Sequence, residues 1–429
     1  MKYISMVLGM FLLWGCQSKP EFQKFTQKQD YDSFLNTQNR PTLEEINQQK
    51  EYWSKRLDKD TTGIGNVGPL ANAYDQLFTQ TGDLHDLQAA ETLYKKGIAI
   101  AAPQFKDGFE RGLAKNYITQ HRFKEAHEIL LKSLAEGAQK RPTYFMLFDT
   151  AMELGYYEDA YEYLSEVKDM NEYNYLIRLS KWNDHKGDLG NAIRYMEMAM
   201  EKAEVHDNKY LKIWTYSNLA DFYSHAGRIE DSYNYYLKTL ALQPDNGYVK
   251  RKIAWMVYAA EGKAKESHRI LDSVMKTNIL PDDYLRKAEL FAFEGNTAAA
   301  IEAENKFLNE VSTGKYGAMY NAYLIELFVE SDIEKALALA EKEVANRDTP
   351  LMNAYLAFVQ LKNGAKEVAL QTVESKVAGK TFEPKGLYYA ALVYKANNKE
   401  EKVKRLKTEL ETASFELGPV LFEKVKELK

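Results

Sequence analysis

Nine short stretches of this chain repeat one pattern roughly every 34 residues, and no other feature restricts its fold as strongly. The turn positions are His121, Gly155, Gly187, Gly227, Gly262, Gly295, Ser331, Gly364 and Asn398, separated by 34, 32, 40, 35, 33, 36, 33 and 34 residues. Five residues after each stands Ala126, Ala160, Ala192, Ser232, Ser267, Ala300, Ala336, Ala369 or Val403. Seven residues before each stands Ala114, Phe148, Ser180, Ala220, Trp255, Ala288, Leu324, Ala357 or Ala391, again mostly small. Gly at most of the turns ends a helix, because only Gly takes a left-handed conformation at little cost. A helix pair of this size cannot bury its own apolar face, and stacked neighbours must do so instead. The small residue of the first helix admits the second helix, and the small residue of the second admits the next unit.

The best copy reads Trp214, Leu219-Ala220, Tyr223, Gly227-Arg228-Ile229, Ser232, Tyr236 and Pro244, with Asn246-Gly247 breaking the chain before the next helix. This register resembles the tetratricopeptide repeat. The resemblance implies an all-α, helix–turn–helix repeat solenoid wound as a right-handed superhelix, with about nine units over residues 101–411. The wide 40-residue spacing between Gly187 and Gly227 predicts a longer polar loop near Glu204–Tyr210. Residues 41–100 read as an N-terminal helical cap. Pro41 with Thr42 and Glu45 predicts a helix start with a capping box, Pro69 opens a second helix, and Gly82 marks a degenerate unit. Residues 412–429 read as a polar capping helix over the exposed face of the last unit, as a solenoid needs for solubility.

The N-terminus carries the second signal. Lys2 precedes an apolar run from Tyr3 to Trp14, too short to span a bilayer and suited to a signal-peptide core. It ends Leu13-Trp14-Gly15-Cys16, and Cys16 is the only cysteine of the chain. That arrangement resembles a bacterial lipobox. The resemblance implies removal of residues 1–15, acylation of Cys16, and anchoring in the bacterial cell envelope, in its outer membrane because no acidic residue directly follows Cys16. Each buried acyl methylene contributes roughly 0.8 kcal/mol to such an anchor. Residues 16–40, rich in Gln, Lys, Ser and Thr, read as a flexible tether.

Composition and motifs exclude several functions. Charge is mixed, with a net value of −5, and no basic patch is interleaved with aromatics, so nucleic acid is not an expected partner. Gly63-Ile64-Gly65-Asn66-Val67-Gly68 has the spacing of a dinucleotide loop but lacks the preceding strand, and reads as an interhelical loop. Asp58 to Pro69 starts like a calcium loop but lacks its bidentate glutamate. The seven histidines form no zinc motif, and no nucleophile elbow occurs. The chain therefore reads as a non-enzyme without cofactor or metal.

In the family the concave face is lined by particular first-helix positions. Carried onto this register they are Arg111, Lys115, Phe145, Asp149, Glu153, Lys181, Asp184, His185, Trp214, Asp221, His225, Lys252 and Met256. Aromatic anchors mixed with charge suit recognition of a protein or peptide segment. The reading is thus a membrane-anchored scaffold or adaptor lipoprotein. The alternative is a glycan- or nutrient-capture lipoprotein partnering an outer-membrane transporter, and the spacing series leaves no room for the insertions such proteins carry.

Overall fold

The computed structural model describes residues 22–428 apart from 37, 39, 61, 62 and 138. Among them the regular structure is helical throughout. A short α1 (Lys28–Tyr31) runs into a 3-10 turn (Asp32–Leu35). Three longer helices follow, α2 (Pro41–Lys59), α3 (Ile64–Thr81) and α4 (Leu84–Ile100). Then come α5 (Lys106–Thr119) with α6 (Phe123–Ala135), α7 (Lys140–Leu154) with α8 (Tyr157–Glu166), and α9 (Tyr173–His185) with α10 (Leu189–Val205). The next pairs are α11 (Lys209–His225) with α12 (Ile229–Leu242), α13 (Gly247–Ala259) with α14 (Ala264–Met275), and α15 (Asp282–Phe293) with α16 (Thr297–Val311). The last are α17 (Asn321–Ser331) with α18 (Ile333–Asn346), α19 (Pro350–Lys362) with α20 (Lys366–Thr372), and α21 (Pro384–Ala396) with α22 (Glu400–Glu411). A final α23 (Ser414–Lys426) closes the chain.

The turn register governs this architecture. Eight of the nine turn residues adopt left-handed backbone, including the non-glycine His121 (φ 57°) and Asn398 (φ 55°). Ser331 does not. There α17 and α18 are joined through Asp332 alone, whose carboxylate caps the amide of Lys335. All nine small positions of the second helices are buried, from Ala126 to Val403. The fold is an all-α helix–turn–helix repeat whose core runs between successive pairs.

Four sequence expectations are corrected. The extra residues between Gly187 and Gly227 form no long loop. They lengthen α10 and α11 to 17 residues each, and only residues 206–208 connect them. The glycine-rich stretch at 63–68 is the first turns of α3, with Gly63 as N-cap. The capping box at Pro41 is absent. The amides of Thr42 and Leu43 are capped instead by Asp245, which accepts both at 3.0 and 3.1 Å from across the fold. A carboxylate at a helix N-terminus does the same work from any distance in sequence.

The fourth concerns the tether. Residues 22–35 lie against the array: the amides of Phe25 and Thr26 donate to Glu261 at 2.8 and 2.5 Å, and Gln23 donates to the Ala260 carbonyl at 3.1 Å. Tyr31 is buried and gives its hydroxyl to Glu266, while Arg269 holds Asp32. A polar composition conceals the anchoring apolar residues Phe25, Tyr31, Phe34 and Leu35, all packed on the core of α12–α14. Cys16 and the lipobox lie outside the described residues.

The array winds back onto itself. Asn278 donates to the Thr79 carbonyl across 199 residues, and Lys124 to the Ala345 carbonyl across 221. Further round, the ring of Phe382 lies over the turn at Gly187. Distant repeats therefore meet along a seam. No described helix is long and apolar enough to cross a membrane.

Candidate partner-binding surface

The first helices of the pairs form the inner face, and α23 lies on it. After α22 the chain does not merely cover the last unit, as a capping helix would. It passes into the groove and packs on α11, α13, α15 and α21. The indole N–H of Trp255 donates to the Phe415 carbonyl at 3.0 Å. Gly418 (φ 71°) brings the backbone so close that a Cβ there would sit 2.6 Å from the Trp255 ring and 2.7 Å from Glu289. The groove is thus partly filled by a segment of the same chain.

Beside α23 a cavity of about 380 Å³ remains. Four of the residues expected on the inner face, Glu153, Asp184, His185 and His225, line it, together with Tyr157, Arg347, Phe382, Glu383 and Glu416. Burial pushes the Glu153 carboxyl up, but Lys181, paired with it at 2.9 Å, more than offsets this and holds it below its ordinary value. Asp184 is not so paired: burial and the nearby Glu383 push it up to about 6, with Lys181 opposing them from farther off. Glu416, brought in by α23, is pushed up to about 7 by burial, Glu383 and Asp184. Burial lowers both His185 and His225, each further depressed by a neighbouring lysine, Lys186 and Lys252 respectively. His225 stands 3.9 Å from Glu416.

The other expected groove residues fare differently. Asp149 binds Arg178 at 2.6 Å. Asp221 is a hub that accepts from Tyr236 at 2.6 Å and from Tyr248, and pairs with Lys252 at 3.0 Å. Trp214 is exposed and meets Tyr173 edge-on, away from the cavity. Arg111 pairs with Asp107 at 2.8 Å, and Lys115 is exposed near Asp75; neither reaches the cavity.

Two residues are corrected outright. Phe145 is buried beneath the guanidinium of Arg178, 4.7 Å from its ring centre. Met256 is fully buried because its repeat carries one extra residue. In the other glycine turns an amide returns to the carbonyl five residues earlier, as from Arg228 to Tyr223. Here Lys263 returns six, to Val257. The register slips by one, so Ala254 takes the small buried position and Trp255 takes the groove position that Asp221 holds one repeat earlier. Ser267 marks the slip by donating to the Ala254 carbonyl at 2.7 Å.

The residues the sequence did not reveal come from elements remote in the chain. Phe382 and Glu383 precede α21, and Glu416 opens α23. A repeat register has no term for a loop one superhelical turn away. Among the described residues no three His, Cys, Asp or Glu side chains are grouped to hold a metal ion.

No family model matches this chain, and no curated protein matches it. Solved structures do. The crystal structure of YrrB, described as a TPR protein with an unusual peptide-binding site, is 17% identical, covering 47% of this chain and 96% of that one at a TM-score of 0.28. A tetratricopeptide repeat protein from Parabacteroides merdae is 15% identical over 60% of this chain and 98% of its own, at 0.34. The human IFIT1 dimer with m7Gppp-AAAA is 12% identical over 76% and 72%, at 0.45. These are likenesses of fold. The repeat assignment rests on this chain's own turns and buried small positions.

Proposed function

We propose that this chain is a scaffold lipoprotein: a repeat array that binds a protein or peptide segment in the bacterial cell envelope, held to the membrane through acylated Cys16. The observation that supports binding is α23 itself. An amphipathic segment lies on the first helices of three consecutive pairs, through a ring-to-backbone hydrogen bond and close backbone approach. A surface that takes a helical segment in cis has the shape and polarity to take one in trans. The anchor is supported by the lipobox-like Leu13-Trp14-Gly15-Cys16 alone.

Photo-crosslinking in cells from positions 185, 225 and 255 tests the reading. One reproducible protein partner, lost when α23 is tethered to the groove, supports it. Recovery of saccharide or lipid alone overturns it. Acyl labelling that persists in Cys16→Ser would remove the anchor from the proposal.

A further inference from the structure

Along the seam, outside the groove occupied by α23, lies an open cleft of about 740 Å³. Tyr157 and Tyr161 sit one turn apart on α8, and Trp182 and His185 face them from α9. Tyr161 and Trp182 are 5.2 Å apart, and Tyr157 stacks on His185 at 4.0 Å. Phe382 completes the wall from the loop before α21, half its surface exposed. It can lie there because residue 187 is glycine; a Cβ at that position would be 2.6 Å from its ring.

Elsewhere a cation lies over a ring of this protein at several places: Arg122 on Tyr117 at 3.8 Å, Arg228 on Tyr223 at 4.0 Å and Lys335 on Phe328 at 3.9 Å. Among the described residues no lysine or arginine covers Tyr157, Tyr161, Trp182 or Phe382. The cleft shares Tyr157, His185, Lys380 and Phe382 with the cavity that holds Asp184 and Glu383. Among the described residues neither carboxylate has a hydrogen-bond or ion-pair partner, and Lys181 acts on Asp184 only at longer range. Glu158, Glu162, Lys186 and Lys380 also line the cleft, and Lys380 donates to the Ser375 carbonyl at 2.7 Å. Aromatic faces free of a cation, with carboxylates close by, are complementary to a flat cation. A guanidinium both stacks on rings and takes a carboxylate through two parallel hydrogen bonds, which an ammonium cannot do.

We infer that this cleft is a docking site for an arginine-bearing peptide segment of the partner, with the guanidinium laid on the aromatic wall of Tyr161, Trp182 and Phe382 and its N–H groups directed to Glu383 and Asp184. The inference rests on the scaffold reading for its partner, and its cleft adjoins the groove cavity, with which it shares His185 and Phe382.

The probe is a short capped peptide of alternating arginine and glycine, titrated calorimetrically into the full chain, with lysine and glutamate counterparts. The arginine peptide binds, the lysine peptide binds less tightly, and the glutamate peptide does not bind. Tyr161→Ala and Glu383→Gln, both at exposed positions, each weaken binding on the order of tenfold, the loss of about one stacked or charge-paired contact. Glu400→Gln, an exposed carboxylate far along the chain, leaves it unchanged. The inference is overturned if Tyr161→Ala binds like the native chain, if the glutamate peptide binds equally, or if Glu400→Gln weakens binding as much as Glu383→Gln. Native melting of the two cleft variants excludes a folding effect. Cell crosslinks that capture the same partner with Tyr161→Ala overturn the cleft and leave the scaffold standing. Arginine-peptide binding without any cellular protein partner does the reverse.

Discussion

The indole N–H of Trp255 donates to the carbonyl of Phe415, 160 residues later, at 3.0 Å. This bond ties the groove face of α13 to the segment that enters the groove. Trp255→Phe keeps most of the packing and loses one hydrogen bond, a cost of about 1 kcal/mol. Trp255→Ala also removes the ring and costs about 2–4 kcal/mol. Both are expected to speed amide exchange across residues 414–426 while exchange in α5–α8 stays native. Uniform acceleration over the whole chain would mean that α23 is integral to global stability and does not dock as a separable segment.

Gly418 gives a second handle on the same contact. Its positive φ disfavours any side chain, and its neighbours leave no room for a Cβ. Gly418→Ala is expected to loosen α23 with a penalty of about 1–3 kcal/mol. Limited proteolysis between Leu410 and Pro419 reads it. A cleavage rate equal to the native rate would show that the backbone shifts without cost.

Glu416 makes the docking pH-dependent. Its folded-state pKa, about 7, lies above the ordinary 4.5 because of burial and the nearby Glu383 and Asp184, with Lys252 opposing them. A raised carboxyl binds its proton more tightly in the docked state. Its contribution is therefore complete below about pH 4.5 and is lost as pH rises through about 7. Docking of α23 should tighten from pH 8 to pH 6, by on the order of 1 kcal/mol after solvent screening. Glu416→Gln should abolish that dependence and dock at pH 8 as the native chain does at pH 6. A pH profile unchanged in Glu416→Gln would assign the effect to His225 or Asp184.

The sequence carried the architecture because the repeat is enforced locally. Each turn needs a residue that tolerates left-handed backbone, and each helix crossing needs a small side chain. Even the exception at Ser331 was visible as a departure from glycine. What escaped the sequence is contact between segments far apart. The strap at 22–35 reads as a polar tether because the few apolar residues that seat it are scattered, and its polar partners, Glu261, Glu266 and Arg269, stand more than 200 residues away. Glu261 is central to that failure. It stands in the turn lengthened by one residue, so it displaces Met256 from the groove into the core. The same carboxylate accepts the amides of Phe25 and Thr26. One added residue both shifted the register and created the dock.

The buried pair Arg251–Asp283 links consecutive repeats. The two side chains meet at 2.6 Å, Arg251 also donates to Asn278, and the Leu280 amide donates to Asp283. Asp283 is fully buried and Arg251 nearly so. Removing one partner leaves the other charge without water, so Arg251→Ala or Asp283→Ala should destabilise the chain by about 3–5 kcal/mol. The double variant Arg251→Met with Asp283→Leu should recover most of that loss. Chemical denaturation of all three variants checks it, and a double variant no more stable than the singles would contradict it.

The strap predicts its own release. Glu261 is held by Lys263 at 2.5 Å and accepts two strap amides, and these partners keep its carboxyl below the ordinary range against the opposing effect of burial. A depressed carboxyl stabilises above its unfolded pKa and loses that contribution as pH falls through its folded value. Glu261→Ala removes the acceptor and leaves two amides without it, which costs about 1–3 kcal/mol of strap docking. Hydrogen exchange at residues 23–35 should rise steeply in this variant at neutral pH, and in the native chain only under acid. The repeats α15–α22 should be unaffected in both cases. Exchange that rises together in the strap and in α12–α14 would make the strap part of the core of those repeats, and Tyr31, not Glu261, the residue that holds it.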